Sequence, residues 1–320
     1  MTFPQANPPP VRMHENEVDT GADLVRRLLA AQCPRSQSQF PQWADLPLTP
    51  VRSAGTDNAV YRLGDALSVR LPRIGWAVDQ VEKEHAWLPR LAPHLPLAVP
   101  EPVFRGEPGE GFPYPWAVHR WLEGENLNAD TLADPEAAAR DLARFVLALR
   151  HLPTPPDAPR AGRGQPLATR DEGVREAVAA LGDLIDGKAA LTAWERALRA
   201  PEWKDAPVWV HGDLSPGNLL FQSGRLSAVI DFGGLGVGDP ACDLMPAWSL
   251  FSAGGREVFR AALAADVPLA VGEALWERGR GHALAQALMF IPYYLHTNPV
   301  GVRGARQVVA QVLADEKSRS

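Results

Sequence analysis

The 320-residue chain contains only two cysteines, Cys33 and Cys242, and they lie far apart in the sequence. Two such cysteines provide neither a disulfide framework nor the closely spaced ligand pairs of a zinc site. The first residues, MTFPQANPPP, lack the basic start and apolar core of a signal peptide, and no apolar run reaches transmembrane length. These absences predict a protein of the reducing cytoplasm that does not insert into a membrane.

An excess of positive charge is also missing. The 32 basic residues are outnumbered by 38 acidic ones, which gives a net charge of −6. Nucleic-acid binding depends on neutralising phosphates with cations, so this balance argues against a nucleic-acid partner. A hydrophobic content of 46% with 22% charged residues is that of an ordinary globular protein, and the length suits two structural units.

One stretch of the chain carries most of the chemical signal. Residues 208–243 read VWVHGDLSPGNLLFQSGRLSAVIDFGGLGVGDPACD. Short apolar runs separated by Gly- and Pro-containing turns predict small strands here. Asp213, Asn218 and Asp231 fall where these strands begin or end, so we expect them at the edge of a cleft. Two ordinary turns with Asp and Asn in turn positions are the structural alternative.

The three polar residues suit phosphoryl transfer, which requires positioning and charge neutralisation more than covalent chemistry. Asp213 can orient a substrate hydroxyl and accept its proton. Asn218 and Asp231 offer a neutral and an anionic oxygen to Mg²⁺, which takes few protein ligands and keeps positions for phosphates and water. His211 is more suited to bracing the loop by hydrogen bonds than to acting as the base.

The segments HGDLSPGNLL and IDFGGLGVGDPACDL resemble the catalytic loop and the metal-binding segment of the aminoglycoside phosphotransferase family. The sequence His-Gly-Asp, in place of the His-Arg-Asp of protein kinases, points to this small-molecule branch. The resemblance implies an α+β, bilobal, protein-kinase-like fold. It comprises an N-terminal lobe with a small antiparallel sheet (residues 1–122) and a larger, mostly helical C-terminal lobe (residues 123–320). It also implies Asp213 as the catalytic base and Asn218 and Asp231 as the Mg²⁺ ligands.

The resemblance assigns further residues to an ATP or GTP site. Gly55 and Thr56 lie at a Gly-containing strand tip that can lay backbone N–H groups over phosphates, although no GxGxxG motif is present. Arg70 occupies the strand position where protein kinases have a phosphate-binding lysine, and Glu84 is placed to pair with it. A solvent-facing Arg70, or pairing by Glu82, is the alternative.

The apolar strand PWAVHRWL, residues 115–122, corresponds to the hinge between the two lobes in this family. The resemblance implies that main-chain groups around His119, Arg120 and Trp121 hold the purine. Recognition by main-chain groups leaves no side-chain pattern that would distinguish adenine from guanine. ATP and GTP therefore both remain candidates for the phosphate donor.

The acceptor is expected to be a hydroxyl-bearing small molecule, with aminoglycoside and macrolide antibiotics as candidates. A polycationic acceptor needs a carboxylate-rich pocket, yet residues 232–320 hold eight acidic and eight basic residues. If several C-terminal aromatics line the cleft, a larger and less charged acceptor such as a macrolide is favoured. The aromatics concerned are Trp248, Phe251, Trp276, Phe290, Tyr293 and Tyr294.

Two other functions are compatible with the same residues. One is a metabolic kinase acting on choline, a sugar or homoserine. The other is a nucleotide-binding pseudokinase. The missing strand lysine favours this function, whereas the presence of Asp213, Asn218 and Asp231 argues against it. A protein kinase fits less well, because no Ala-Pro-Glu segment follows Asp-Phe-Gly. The sequence gives no indication of oligomeric state.

Overall fold

The computed structural model describes residues 12–33, 43–51, 55–127, 131–264 and 272–317. The first part of the chain forms a five-stranded antiparallel sheet in the order β1-β2-β3-β5-β4. Its strands are β1 (Leu48–Pro50), β2 (Asn58–Leu63), β3 (Leu67–Pro72), β4 (Pro102–Gly106) and β5 (Trp116–Arg120). The small antiparallel sheet that the resemblance implied for this part of the chain is therefore present.

Two helices accompany the sheet, α1 (Ala22–Gln32) and α2 (Asp79–Leu91). The apolar residues of α1 recur at helical spacing, and Leu24, Val25, Leu28 and Leu29 are buried in a core shared with β2, β3 and β5. Helix α2 has a different role, because its C-terminal half packs into the larger core of the helical part of the molecule. Trp87 of this helix lies 4.9 Å from Trp209, measured between ring centroids.

Two short antiparallel strand pairs carry the segment of residues 208–238. Strand β6 (Val208–Val210) pairs with β9 (Gly236–Gly238), and β7 (Leu219–Gln222) pairs with β8 (Arg225–Val229). Ser223 and Gly224 form the tight turn between β7 and β8 with φ values of 51° and 76°. Positive φ at both central positions is typical of a two-residue hairpin, as the Ser-Gly signal predicted.

Helices make up the remainder of the described chain. They are α3 (Pro135–Arg150), α4 (Asp171–Leu181), α5 (Gly187–Arg199), α6 (Pro246–Ser249), α7 (Ala253–Ala264), α8 (Glu273–Tyr294) and α9 (Pro299–Lys317). Pro246 starts a new turn, so a 3-10 segment, Pro240–Leu244, precedes the short α6. None of the described helices is long and apolar enough to cross a membrane.

The segment before α1 joins the sheet to the helical part of the molecule. His14 is 3% exposed, and its Nε2 lies 3.1 Å from the Thr56 carbonyl oxygen while its Nδ1 lies 3.0 Å from the Tyr293 hydroxyl. The sequence gave no signal that His14 would contact the Gly55–Thr56 tip.

Helix α8 runs through the larger core and contains a buried histidine, His282. Burial, followed by the nearby guanidinium groups of Arg170, Arg278 and Arg163, lowers the pKa of His282 from 6.5 to about 3. Its Nε2 has no hydrogen-bond partner among the described residues. The folded protein therefore holds this ring neutral under conditions in which an unfolded chain would protonate it.

We expect acid to destabilise the fold through His282. Below pH 6.5 His282 is protonated in the unfolded state, whereas in the folded state it stays neutral down to about pH 3. The free energy of unfolding is therefore highest above pH 6.5 and falls as the pH is lowered. The linkage relation gives a loss of about 1 kcal/mol between pH 6.5 and 5.5. Urea denaturation of wild type and His282→Gln at the two pH values should show a smaller loss in the variant.

The exposed His94 supplies the control for this experiment. His94→Gln should keep the wild-type difference in unfolding free energy between the two pH values. An equal pH dependence in wild type and His282→Gln would show that His282 is not the group responsible.

Candidate active site

The loop of residues 211–218 is held from beneath by a buried carboxylate. Asp243 accepts hydrogen bonds from the backbone N–H groups of His211 and Gly212, each at 2.8 Å. The His211 ring then accepts from the Asp213 N–H at Nδ1 (3.1 Å) and lies 3.1 Å from the Ile230 carbonyl oxygen through Nε2. These bonds use both ring nitrogens of His211 within the protein, whereas Asp213 lines the cavity described below.

Gly212 allows this loop to approach the Asp-Phe-Gly segment closely. It has a φ of +77°, and a Cβ at this position would lie 2.6 Å from the carbonyl oxygen of Gly234. Both the positive φ and the lack of space exclude a side chain. Glycine between His211 and Asp213 is therefore a steric requirement of this packing, which gives the sequence His-Gly-Asp a physical reason.

Asp231 follows β8 in an unusual backbone conformation. Its φ of 63° and ψ of 71° place it in the left-handed region, which non-glycine residues adopt rarely and at an energetic cost. Desolvation raises the pKa of Asp231. The positive charge of Arg70 opposes this effect, while the nearby carboxylates of Glu84, Asp213 and Asp57 add to it. A strained, desolvated carboxylate at a cleft is a typical feature of a functional site.

Arg70 connects Asp231 to α2. Its Nη1 donates to both carboxylate oxygens of Glu84 at 2.7 and 2.9 Å, and its Nη2 donates to Asp231 Oδ1 at 2.9 Å. The side chain is 12% exposed, so the solvent-facing alternative is excluded. Glu82, the competing partner, instead pairs with Arg105 on the surface.

Glu84 is the central acceptor of this group. Burial disfavours its charge, but Arg70 and the His119 ring, whose Nε2 lies 3.3 Å from Oε2, outweigh this and lower the pKa to about 2. Glu84 Oε1 also accepts from the Phe232 N–H at 3.0 Å. One ionised side chain thus ties β3, β5 and the Asp-Phe-Gly segment to α2.

A cavity of about 920 Å³ lies beside these residues. Five of the predicted site residues line it: Gly55, Thr56, Asp213, Asn218 and Asp231. The structure therefore brings together the proposed base, the two proposed metal ligands and the strand tip. The other five predicted residues, Arg70, Glu84, His119, Arg120 and Trp121, are not among the lining residues.

The N–H groups of two hinge residues are already used within the protein. Arg120 donates to the Glu101 carbonyl oxygen at 2.9 Å, and Trp121 donates to that of Ala66 at 2.8 Å. In the described chain, the N–H of Leu122 donates to no backbone carbonyl oxygen. His119 turns its side chain to Glu84. Of the backbone N–H groups of Arg120, Trp121 and Leu122, that of Leu122 is thus the one without such a partner in the described chain.

Arg163 is a site residue that the sequence did not reveal. Its Nη1 lies 2.5 Å from Asp213 Oδ1 and donates to the Gly212 carbonyl oxygen at 3.0 Å, and it lines the cavity. It comes from the long loop after α3, which packs against β9 so closely that a Cβ on Gly236 would lie 2.5 Å from the Ala161 nitrogen. The length of this segment, residues 151–170, is the sequence feature that could have pointed to a function, because long loops are often functional.

The donor atoms present fit Mg²⁺ bound jointly by protein and phosphates. Asn218 Nδ2 donates to the Asp213 carbonyl oxygen (2.8 Å) and to Asp213 Oδ2 (3.3 Å), so its amide oxygen is directed elsewhere. Asp231 uses only Oδ1 toward Arg70. No cluster of three or more His, Cys, Asp or Glu side chains that could hold a metal occurs within the described ranges. Two oxygen ligands are nevertheless adequate for Mg²⁺ with a triphosphate.

The sequence matches one family model over most of its length. Residues 48–282 match the model of the phosphotransferase enzyme family. Viomycin phosphotransferase of Streptomyces vinaceus is 30% identical over 165 residues, which cover 47% of this chain and 55% of that relative, so the match spans about half of its length.

Solved structures show the same fold. Aminoglycoside 2′-phosphotransferase-IIIa in complex with GDP superposes with a TM-score of 0.69 at 17% identity, covering 91% of this chain and 98% of that one. Macrolide 2′-phosphotransferase MphH from Brachybacterium faecium gives a TM-score of 0.57 at 23% identity, with 89% and 97% covered. The expected α+β fold is thereby confirmed. Because the family model matches well over half of the sequence, this chain belongs to the phosphotransferase enzyme family.

Proposed function

We propose that the protein transfers the γ-phosphate of ATP or GTP to a hydroxyl group of a small molecule. Antibiotics are the first candidates for this acceptor. The observation that carries this proposal is the convergence of Asp213, Asn218 and Asp231 on one cavity of about 920 Å³. The names of relatives and neighbours, which include aminoglycoside, macrolide and viomycin phosphotransferases, support it.

Asp213 is the residue that would handle the proton. Its carboxylate accepts the proton of the acceptor hydroxyl as the hydroxyl oxygen forms a bond to the γ-phosphorus. The bond from that phosphorus to the β–γ bridging oxygen breaks, which yields a phosphate ester and a nucleoside diphosphate. Arg163 fixes one oxygen of Asp213 by its ion pair, so the other oxygen can be directed at the acceptor.

Asn218 and Asp231 would hold Mg²⁺, which neutralises phosphate charge when it is bound. The strand tip at Gly55 and Thr56 would cover the phosphates. The purine would be held at the hinge that begins at His119, Arg120 and Trp121, with the Leu122 N–H as the donor that the protein leaves available. The use of a nucleoside triphosphate also supports the cytoplasm as the location.

Arg70 and Glu84 complete the nucleotide site in this proposal. Arg70 donates hydrogen bonds to Glu84 and Asp231, so we infer that it acts by orienting the Asp231 carboxylate. Direct contact with a phosphate, which the strand position suggested, is the alternative role. The two roles differ in what a substitution does to nucleotide affinity.

The two remaining functions are separated by direct assays. A metabolic kinase would phosphorylate choline, a sugar or homoserine in preference to antibiotics. A nucleotide-binding pseudokinase would show a thermal shift with Mg-ATP or Mg-GTP but no phosphorylated product with any acceptor. Mass spectrometry of the acceptor after incubation distinguishes all three outcomes.

We expect Asp213→Asn to lower kcat by about 10²–10⁴-fold, the range for loss of a general base. Asp231→Ala should lower kcat to a similar degree, because one of the two protein ligands for Mg²⁺ is removed. Steady-state kinetics with ATP or GTP and an acceptor that wild type phosphorylates would measure both effects. The exposed Asp157, changed to Asn, serves as the matched control and should retain wild-type kcat. Wild-type turnover by Asp213→Asn would exclude it as the base.

Arg70→Lys tests whether Arg70 orients Asp231. A lysine cannot span two carboxylates as the guanidinium does, so we expect kcat to fall about 10-fold while the Kd for nucleotide without Mg²⁺ stays within about 3-fold of wild type. Calorimetric titration gives the Kd. Arg199, an exposed residue, changed to Lys is the control. If the metal-free Kd instead rises 10-fold or more in Arg70→Met, Arg70 contacts the phosphates directly.

A further inference from the structure

The cavity has two parts with different chemistry. One part is formed by the strand tip, the loop of residues 211–218, Trp76, Arg163 and Asp231, and its carboxylates are Asp57, Asp213 and Asp231. The other part, which we call the helical wall, comprises the fourteen lining residues that come from residues 245–249, α8 and α9. Because both parts line the same cavity, a large acceptor bound beside Asp213 can rest against the helical wall.

Carboxylates are confined to the first part of the cavity. Asp213 is paired with Arg163 and Asp231 with Arg70, while Asp57 accepts a hydrogen bond from Gln80 Nε2 at 2.9 Å. Among the described residues that form the helical wall there is no acidic side chain, and Arg303 is the one charged member. The acceptor side of the cavity is therefore neutral to slightly positive.

The helical wall is mainly apolar or made of small residues. Met245, Phe290, Val300 and Val308 are among its larger apolar members. Of the aromatics singled out in the sequence, Trp248, Phe251 and Trp276 lie instead in the buried core. Phe290 and Tyr294 line the cavity with their ring centroids 4.4 Å apart, whereas Tyr293 is 53% exposed and is not among the lining residues.

The polar groups of the helical wall are neutral hydrogen-bonding groups. Ser249 Oγ is buried and has no hydrogen-bond partner within the described chain. Gln286 and Gln307 add two side-chain amides. A hydroxyl and amides of this kind can bind ether, carbonyl and hydroxyl oxygens of a ligand, but they cannot replace the hydration of several ammonium groups.

We propose that the acceptor is a large, predominantly apolar, hydroxyl-bearing molecule with at most one positive charge, of the macrolide type, and not a polycationic aminoglycoside. Each ammonium group placed against the helical wall would lose water without gaining a carboxylate, which is unfavourable. A macrolactone would instead bury apolar surface against Phe290, Val300 and Val308. The cavity volume of about 920 Å³ is large enough for such a ligand. This inference rests on the proposed phosphotransferase function and specifies its substrate class.

The first experiment compares acceptors of the two classes on the wild-type enzyme. Erythromycin represents the singly charged macrolides, while kanamycin and viomycin represent the polycations that phosphotransferases modify. We expect kcat/KM for erythromycin, measured by nucleoside diphosphate release with Mg-ATP and Mg-GTP, to exceed that for either polycation at least 100-fold. A preference for kanamycin or viomycin would overturn the substrate class while leaving the proposed phosphotransferase function intact.

The second experiment changes the charge of the helical wall. Gln286→Glu and Arg303→Glu, combined, add carboxylates to the wall, so the kcat/KM ratio of erythromycin to kanamycin should fall at least 10-fold. The control is Arg306→Glu, which changes an exposed residue of α9 outside the cavity lining and should leave the ratio unchanged. An unchanged ratio in the double variant would show that this wall does not select the acceptor.

Binding separates failure of the substrate class from failure of the enzyme function. Asp213→Asn should bind erythromycin in calorimetry without phosphorylating it. Bound nucleotide with no phosphorylation of any acceptor by wild type would remove the phosphotransferase function, and the inference with it. Erythromycin that fails to bind while kanamycin is phosphorylated would overturn the substrate class alone.

Discussion

The buried carboxylate of Glu84 is the group on which the geometry of this site depends. A carboxylate removed from water is unfavourable by several kcal/mol unless charges and donors replace its hydration. Here the replacement comes from Arg70, the His119 ring and the Phe232 N–H, which belong to β3, β5 and the Asp-Phe-Gly segment. Removing one partner of such a pair generally destabilises a protein by about 3–5 kcal/mol. The relative positions of these three elements are thus coupled to the ionisation of one side chain.

The strain at Asp231 follows from this arrangement. Its left-handed backbone is unfavourable in isolation, and it persists because Phe232 is fixed to Glu84 on one side and Asp231 Oδ1 to Arg70 on the other. The loop of residues 211–218 is held independently, by Asp243 beneath His211 and Gly212. The carboxylates of Asp213 and Asp231 therefore have separate supports, and these supports come into close contact at Gly212 and Gly234.

The sequence could predict much of this site, because its key residues lie in short motifs. Asp213, Asn218 and Asp231 are within 19 positions of one another, and the hairpin between them is encoded by Ser223-Gly224, so local rules were sufficient to bring them to one cleft. The pairing of Arg70 with Glu84 was also expected. The further bond from Arg70 to Asp231 could not be expected in the same way. It joins residues 161 positions apart in the sequence, and no local periodicity predicts such a contact.

Contacts made by loops and by the backbone were beyond sequence reasoning. Arg163 reaches Asp213 because a loop packs against glycines of β9, and nothing in the residues around Arg163 specifies that path. His14 meets Thr56 across 42 positions in the same way. The hinge residues Arg120 and Trp121 were singled out for their main-chain groups, yet the sheet uses their N–H groups, and pairing of this kind becomes visible only once the strand register is known.

The division of the cavity into a charged part and a neutral wall gives phosphoryl transfer and acceptor choice separate physical origins. In the proposed function, charge that develops during phosphoryl transfer would meet Asp213, Arg163 and Asp231, whose ion pairs are already formed and need little reorganisation. The proposed acceptor would meet helices α8 and α9, which supply none of those groups. A change of side chains on the helices would then alter which hydroxyl-bearing molecule is bound without disturbing the groups proposed to act on the phosphate. In this proposal an uncompensated loss of hydration is sufficient by itself to disfavour polycations.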